Sequence, residues 1–286
     1  MLTIFTPTYN RAYILHQAYE SLCRQTVHEF IWLIIDDGST DETRQLVQNW
    51  IKENKISIRY YYQQNGGKMR AHNWGVRLCD TELFVCLDSD DYLVDDAVET
   101  ILTLWDSLEE KQHLAGIVAY KGKDTQHTMF GEAFPDIRIA TLQELYQKGF
   151  FGENTLVHKR EVLLQFPFPE IEGEKFIPEA VIYDNIDQFY YLYVLPQILM
   201  ICEYREDGLS YAIEDLRQNN PKGWLLYYQQ RIKYSHFSLL RYKYISHAIC
   251  FCWLLKLNPF QEIIISKLEI CAGFIGALVL KIIGKL

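Results

Sequence analysis

Residues 83–93 read LFVCLDSDDYL. The run opens with five apolar residues, short and unbroken, as in a strand buried on both faces of a parallel sheet. Three carboxylates, Asp88, Asp90 and Asp91, follow within four residues. Carboxylates this close repel one another, which costs stability unless a cation neutralises them or solvent spreads their charge. Alternation along a strand puts Asp88 and Asp90 on the same side, where both can face a hard divalent ion or its water shell. The competing reading is a helix start, with Asp90 or Asp91 as cap and Asp95 and Asp96 favouring the helix dipole.

Towards the N-terminus the same pattern repeats. Strands are expected over 2–5, 30–35, 56–62 and 83–87, and helices over 11–24, 41–53 and 68–78, the helices carrying apolar residues at helical spacing (Ile14, Leu15, Ala18, Leu22; Leu46, Val47, Trp50, Ile51). In such a βαβ array ligands bind beyond the carboxyl ends of the strands. Those ends are polar here: TPTYN at 6–10, DDGST at 36–40, NGGK at 65–68 and DSDD at 88–91. Ser39 and Glu42 have capping-box spacing, which accounts for Ser39, Thr40 and Glu42 but leaves Asp37 over. A carboxylate at Asp37 can accept from a uracil imide or a ribose hydroxyl, and Tyr9 can stack on a base. Asn65 to Lys68 is the nearest approach to a phosphate cradle, with a turn and a solvated lysine as the plainer account. No G-x-G-x-x-G follows the first strand and no Walker A lysine motif occurs, so dinucleotide and P-loop sites are not expected.

Towards the C-terminus a helix over 95–108, a strand over 115–120 and a polar loop to Pro135 lead into a mixed region at about 140–213. From Glu214 the chain reads as helices broken at Pro221 and Pro259. Expected domains are therefore 1–213, in halves 1–95 and 96–213, and a helical extension at 214–286. Of the 286 residues 49% are hydrophobic, enough for a sizeable core. The net charge of -9 divides into -15 before Glu214 and +6 from there on. An acidic body excludes nucleic acid as the main partner, while a basic, apolar tail suits an anionic membrane surface.

The uncharged stretch Ile270 to Leu280, flanked by Lys267, Lys281 and Lys285, is too short to span a bilayer and is expected to lie on one. Met1 leads straight into a strand with no signal-peptide pattern, so a cytoplasmic location is expected, peripheral to the inner membrane face. The seven cysteines lack metal-site or redox spacing and read as reduced core residues. Lone His72 and His158 read as core or surface groups rather than ligands.

PTYNR, LIIDDGSTDET, GGK with AHNWGV, and FVCLDSDDYL, in this order and strand context, resemble the signature segments of family 2 glycosyltransferases. The resemblance covers about the first 100 residues. It implies the A-type nucleotide-diphospho-sugar transferase fold, a three-layer α/β/α sandwich on a mostly parallel sheet. It further implies a sugar nucleotide, commonly a UDP-sugar, as donor. Asp37 would read the base, Asp88 and Asp90 would hold Mn2+ or Mg2+ on the diphosphate, and Pro7, Tyr9, Lys68 and Ser89 would line the nucleotide pocket. The family's general base is matched by Glu179 in EGEKFIPEAVIYDNID, although Ala180 stands where an Asp is usual. Glu172, Glu174 and Asp184 are rivals, and Glu179 can also cap the helix that Pro178 begins. YREDGLS at 204–210 resembles the closing strand and turn of bacterial envelope members. The processive Q-x-x-R-W motif is absent, which implies transfer of one sugar per encounter to a glycan or lipid-linked acceptor.

Two rivals remain. A haloacid dehalogenase-type phosphatase also places D-x-D after an apolar strand, but near its start and without Tyr92 following. A non-catalytic carbohydrate-binding module would keep the fold and lose the chemistry.

Overall fold

The computed structural model describes every residue except 132, 204, 206, 209, 210 and 283–286. Four positions of the YREDGLS segment, and Lys285, lie outside the described residues. The chain divides into two compact units, 1–167 with 185–203 and 168–184 with 204–286. Segment 168–184, placed with the second half on sequence grounds, groups here with the C-terminal helices.

The first unit begins with β1 (Leu2–Thr8), α1 (His16–Cys23), β2 (Phe30–Asp36), α2 (Thr43–Glu53), β3 (Ile58–Tyr62), α3 (Lys68–Leu78) and β4 (Leu83–Cys86). It continues with β5 (Tyr92–Leu93), α4 (Ala97–Ser107), β6 (Leu114–Gly122), β7 (Ile139–Ala140), α5 (Leu142–Gln147), β8 (Asn154–Lys159), α6 (Arg160–Gln165) and β9 (Tyr191–Ile201). One sheet holds all nine strands in the order β3-β2-β1-β4-β8-β6-β9-β5, with β7 also on β9. The α/β class is as expected. The pairing is parallel from β3 to β4 and again between β6 and β9, whereas β8 enters antiparallel between β4 and β6, and β5 and β7 pair antiparallel with β9.

All seven residues of β1 and of β2 are buried, as strands covered on both faces must be. One face packs Leu2, Ile4, Trp32, Ile34 and Val85 against α1, α2 and α4, with Tyr19 stacked 4.4 Å from Trp50. The other face presents Phe5 and Phe84 to α3. Gly75 allows this approach, since a Cβ there would lie 2.7 Å from the Phe5 ring. His72 sits edge-on to these rings and His158 is buried on β8 opposite Phe84; burial pushes both imidazoles down to about 3, so they are neutral core groups.

The second unit carries most of α7 (Ala180–Ile186), then α8 (Ile213–Asn219), α9 (Pro221–Tyr234), α10 (Leu239–Leu254), α11 (Pro259–Glu262) and α12 (Lys267–Ile282). Its core gathers Trp224, Tyr228, Ile245, Ile249, Phe251 and Ile270. All seven cysteines are free, but Cys271 is exposed rather than in the core, because it lies on the outer face of α12.

A candidate donor site at the ends of the strands

β1 is the point where the sheet order reverses, with β2 on one side and β4 on the other, and crevices in α/β sheets form at such points. The β1–β4 ladder ends at Phe5 with Cys86, after which Leu87 N donates to Phe5 O at 2.8 Å. In a parallel ladder the next rung would run from the N–H of residue 7 to the carbonyl of Leu87. Residue 7 is Pro, which has no N–H. The two chains separate there.

Beyond this point β4 has ended, and Asp88-Ser89-Asp90-Asp91 forms a turn in which Asp91 N donates to Asp88 O at 3.1 Å. The expectation that strand alternation aligns Asp88 with Asp90 is therefore corrected. Ser89 and Asp90 occupy the centre of the turn, Ser89 buried and Asp90 half-buried. The expected side-chain cap is also absent, because α4 begins after Asp96 without a side-chain cap bond.

Two lysines pair with two of the turn's three carboxylates. Lys68 Nζ, from the first residue of α3, lies 2.7 Å from Asp88 Oδ1 and 2.9 Å from Oδ2. Lys121 Nζ, from β6, lies 2.7 Å from Asp91 Oδ2, with both side chains largely buried. Burial opposes charge on Asp88, yet Lys68 and Lys121 outweigh it and hold the carboxyl below the usual range. Burial pushes Asp91 up, with Asp88 and Asp90 adding to the effect against Lys121. Burial likewise opposes charge on Lys121, but Asp91 and Asp88 raise its pKa and keep the ammonium protonated. Lys121 had no sequence signal, since it sits 30 residues from its partner on a strand whose pairing is non-local.

The ends of β1, β2 and β3 are joined differently. Asp37 is buried, and its Oδ1 accepts from Gln63 Nε2 at 2.6 Å and Gly66 N at 2.8 Å, while Oδ2 accepts from Gly67 N at 2.8 Å. Asp37 thus latches the loop before α3, a structural part that capping-box spacing could not reveal. Two oxygens can accept about four hydrogen bonds, and the described residues fill three of them. Gly38 is required beside the latch: its φ is +90°, and a Cβ would lie 2.8 Å from Asn65 N.

The expected capping box at Ser39 is not formed. α2 begins at Thr43, whose N–H and Oγ1 donate to Asp41 Oδ1 at 3.1 and 2.6 Å, while Ser39 Oγ accepts from Asn10 N at 2.8 Å. Asn10 Oδ1 returns the tie by accepting from Thr40 N at 2.8 Å. Asn10 itself is left-handed at φ 53°, a conformation Asn tolerates. Pro7 is buried and Tyr9 is 48% exposed, open for stacking. Thr8 Oγ1, buried at the end of β1, has no hydrogen-bond partner among the described residues and was not singled out by sequence.

Asp88 and Asp90 are hard oxygen donors of the kind that bind Mg2+ or Mn2+. Among the described residues no set of three or more His, Cys, Asp or Glu is arranged to cage an ion. An ion held by one or two carboxylates together with substrate phosphates needs no such cage. The residues fit such an ion.

Glu179 lies in the second unit, half-buried, and its carbonyl accepts from Ile182 N and Tyr183 N at the start of α7. Of its rivals, Glu174 is buried and caps α9, accepting from Lys222 N and Gly223 N at 2.7 Å each. Asp184 is buried 2.9 Å from Arg231 Nε; burial pushes it up to about 6 against the pull of the guanidinium. Glu172 is exposed.

Residues 3–163 match the model of a family described as glycosyl transferase family 2. An uncharacterized glycosyltransferase of Rickettsia felis is 32% identical over 171 residues, 54% of this chain and 28% of that protein. This chain thus spans little more than a quarter of that relative's length. In fold the chain is similar to S. aureus TarS 1-349 in complex with UDP-GlcNAc, with TM-score 0.60 and 19% identity, over 88% of this chain and 72% of that one. It is also similar to a mannosyltransferase from Pyrobaculum calidifontis in complex with GDP-Man and Mn2+, with TM-score 0.58 and 16% identity, over 98% and 80%.

Proposed function

The chain belongs to glycosyl transferase family 2, and on that premise we propose that it moves one sugar, with inversion, from a nucleotide-diphosphate sugar to a hydroxyl of a glycan or lipid-linked acceptor. The observation that carries this reading is the acidic turn at the crevice between β1 and β4, with Asp90 at its centre and Lys68 and Lys121 beside it. A uridine diphosphate sugar is the favoured donor. Residues 1–95 bind it and 96–213 take the acceptor, in the service of cell-surface polysaccharide assembly in the cytoplasm. The basic extension 214–286 associates with the inner membrane face.

Tyr9 stacks on the base, and Asp37 offers it the spare acceptor position on Oδ2. Pro7 and Ser89 line the pocket. Lys68 turns from Asp88 towards the diphosphate and counters its charge. Asp90, with Asp88 in support, holds Mn2+ or Mg2+, which when bound acts as a Lewis acid on the departing diphosphate. Glu179 takes the proton from the acceptor hydroxyl as that oxygen attacks the anomeric carbon opposite the leaving group.

The test is release of nucleoside diphosphate from a panel of sugar nucleotides with Mn2+ present. Asp90→Asn should lose at least about a hundredfold in rate with an unchanged melting temperature, the scale expected when charge stabilisation at a leaving group is removed. Full activity in that variant would end the metal assignment. Glu179→Gln should bind nucleotide normally and transfer poorly, and undiminished transfer would remove its role as base.

A further inference from the structure

α12 has two faces of opposite character. Ile270, Gly273 and Ala277 are buried on one of them, which meets α10. Arg241 Nε reaches Glu269 Oε1 at 2.9 Å, Ser246 Oγ donates to Gly273 O at 3.0 Å, and Cys250 Sγ donates to Ala277 O at 3.6 Å. Each partner lies a nearly constant distance further along the chain, so α10 and α12 run parallel. Gly273 is what permits the contact, since a Cβ there would fall 2.4 Å from Ile245 Cγ2.

On the opposite face Leu268, Ile275, Leu278, Val279 and Ile282 are 84%, 71%, 53%, 52% and 82% exposed. They recur at helical spacing, with exposed Cys271 and Ala272 filling the gap, and form one stripe along the helix. No charged residue interrupts it between Glu269 and Lys281. Because the helices are parallel, their N-terminal ends coincide, and there Phe237, Leu239 and Ile264 add exposures of 78%, 90% and 96%. An apolar surface this continuous marks an interaction site.

Charge selects the occupant. Residues 231–282 hold seven Lys and Arg against two Glu, and one of those, Glu269, is already paired with Arg241. Lys267 and Lys281, both exposed, stand near the two ends of the stripe. A second copy laid on this face would bring like charges together, whereas anionic headgroups would meet them with opposite sign. At about 24 Å the helix is shorter than a bilayer core of about 30 Å. No helix among the described residues is long and apolar enough to cross a membrane.

We infer that α12 lies flat in the headgroup region of an anionic bilayer, its exposed stripe sunk towards the acyl chains and Lys267 and Lys281 among the phosphates. This rests on reading 214–286 as the membrane-associating part, and adds which face docks. Within the stretch Ile270 to Leu280, Ile270, Gly273 and Ala277 face α10 and are not part of that docking face.

The test is co-sedimentation of the full chain with phosphatidylcholine vesicles, with and without phosphatidylglycerol. The protein should bind only the anionic vesicles, and the exposed double substitution Ile275→Asn with Leu278→Asn should weaken binding by about tenfold or more at unchanged circular dichroism. A second readout needs no apolar substitution: an environment-sensitive dye on Cys271, the exposed cysteine, should shift to the blue when anionic vesicles are added. No binding by the unaltered protein would overturn both the membrane reading and this inference. Binding that survives the double substitution, or leaves the Cys271 dye unshifted, would overturn the docking face alone. A concentration-dependent dimer abolished by the same substitutions would give the face to a second copy instead.

Discussion

The loops that follow β1, β2 and β3 and the turn that follows β4 share one end of the sheet, and both are organised by aspartates. They are held in opposite ways. Asp37 receives Gln63 and two backbone N–H groups, whereas Asp88 and Asp91 receive the ammoniums of Lys68 and Lys121. A carboxylate fixed by backbone donors is a geometric fixture, with partners that cannot leave without unfolding the loop. A carboxylate paired with a lysine side chain can exchange that cation for another. The Lys68–Asp88 pair, partly exposed, is the tie that an arriving charge can exchange, whereas the Asp37 latch is fixed in the backbone.

The difference can be broken by mutation. Lys121→Met should have the largest effect on stability, a loss of about 3–5 kcal/mol, because it strands Asp91 in a buried position. Urea unfolding would measure it, and Asp91→Asn added to the same chain should recover most of the loss. If the single variant is as stable as the parent, the buried pair is not what holds the turn. Asp37→Ala should cost about 2–3 kcal/mol by leaving Gly66 and Gly67 N–H groups unpaired, and high salt should not alter that cost. High salt should weaken the more exposed Lys68–Asp88 pair.

The two buried histidines beneath these regions offer a pH test. Their folded pKa values, about 3, lie below the usual value of about 6.5. The unfolded chain therefore binds more protons in this window, so stability is intact above pH 6.5 and falls as the pH drops towards 3. Each histidine should contribute a slope of about 1.4 kcal/mol per pH unit, opposed below pH 6 by Asp91 and Asp184, whose carboxyls burial raises, so His158→Leu should lower the slope by one histidine's share. A slope unchanged by His158→Leu would mean that this imidazole is not neutral in the core. Ser39→Ala should have the smallest effect, about 1 kcal/mol, since it removes one tie to Asn10 and leaves its reciprocal at Thr40. A loss as large as that of Asp37→Ala would show that the two loops depend on this tie.

Much of the first unit was legible because its helices repeat apolar residues with the helical period and its strands are short apolar runs. The polar ends of β1 to β4 followed from that alternation, and with them the position of the acidic turn. What could not be read was whatever depends on contacts between distant residues. β8 slips between β4 and β6 from some 70 residues beyond β4, and β9 bulges where Pro196 interrupts its ladder with β6. Lys121 depends on that same non-local pairing. The misreadings within the site had local causes: a Ser three residues before a Glu looked like a helix cap, and two aspartates two apart looked like strand neighbours. At the first the helix begins later than the pattern implied, at Thr43, and at the second the strand ends earlier, at Cys86.

Pro7 gives the crevice its permanence. A gap between two strands with free N–H groups would tend to zip shut in an empty protein, and a ligand would have to prise it open. With no donor at residue 7, the rung to Leu87 cannot form, and that route to closure is removed. A ligand arriving at the end of this ladder has no hydrogen bond between residue 7 and Leu87 to break.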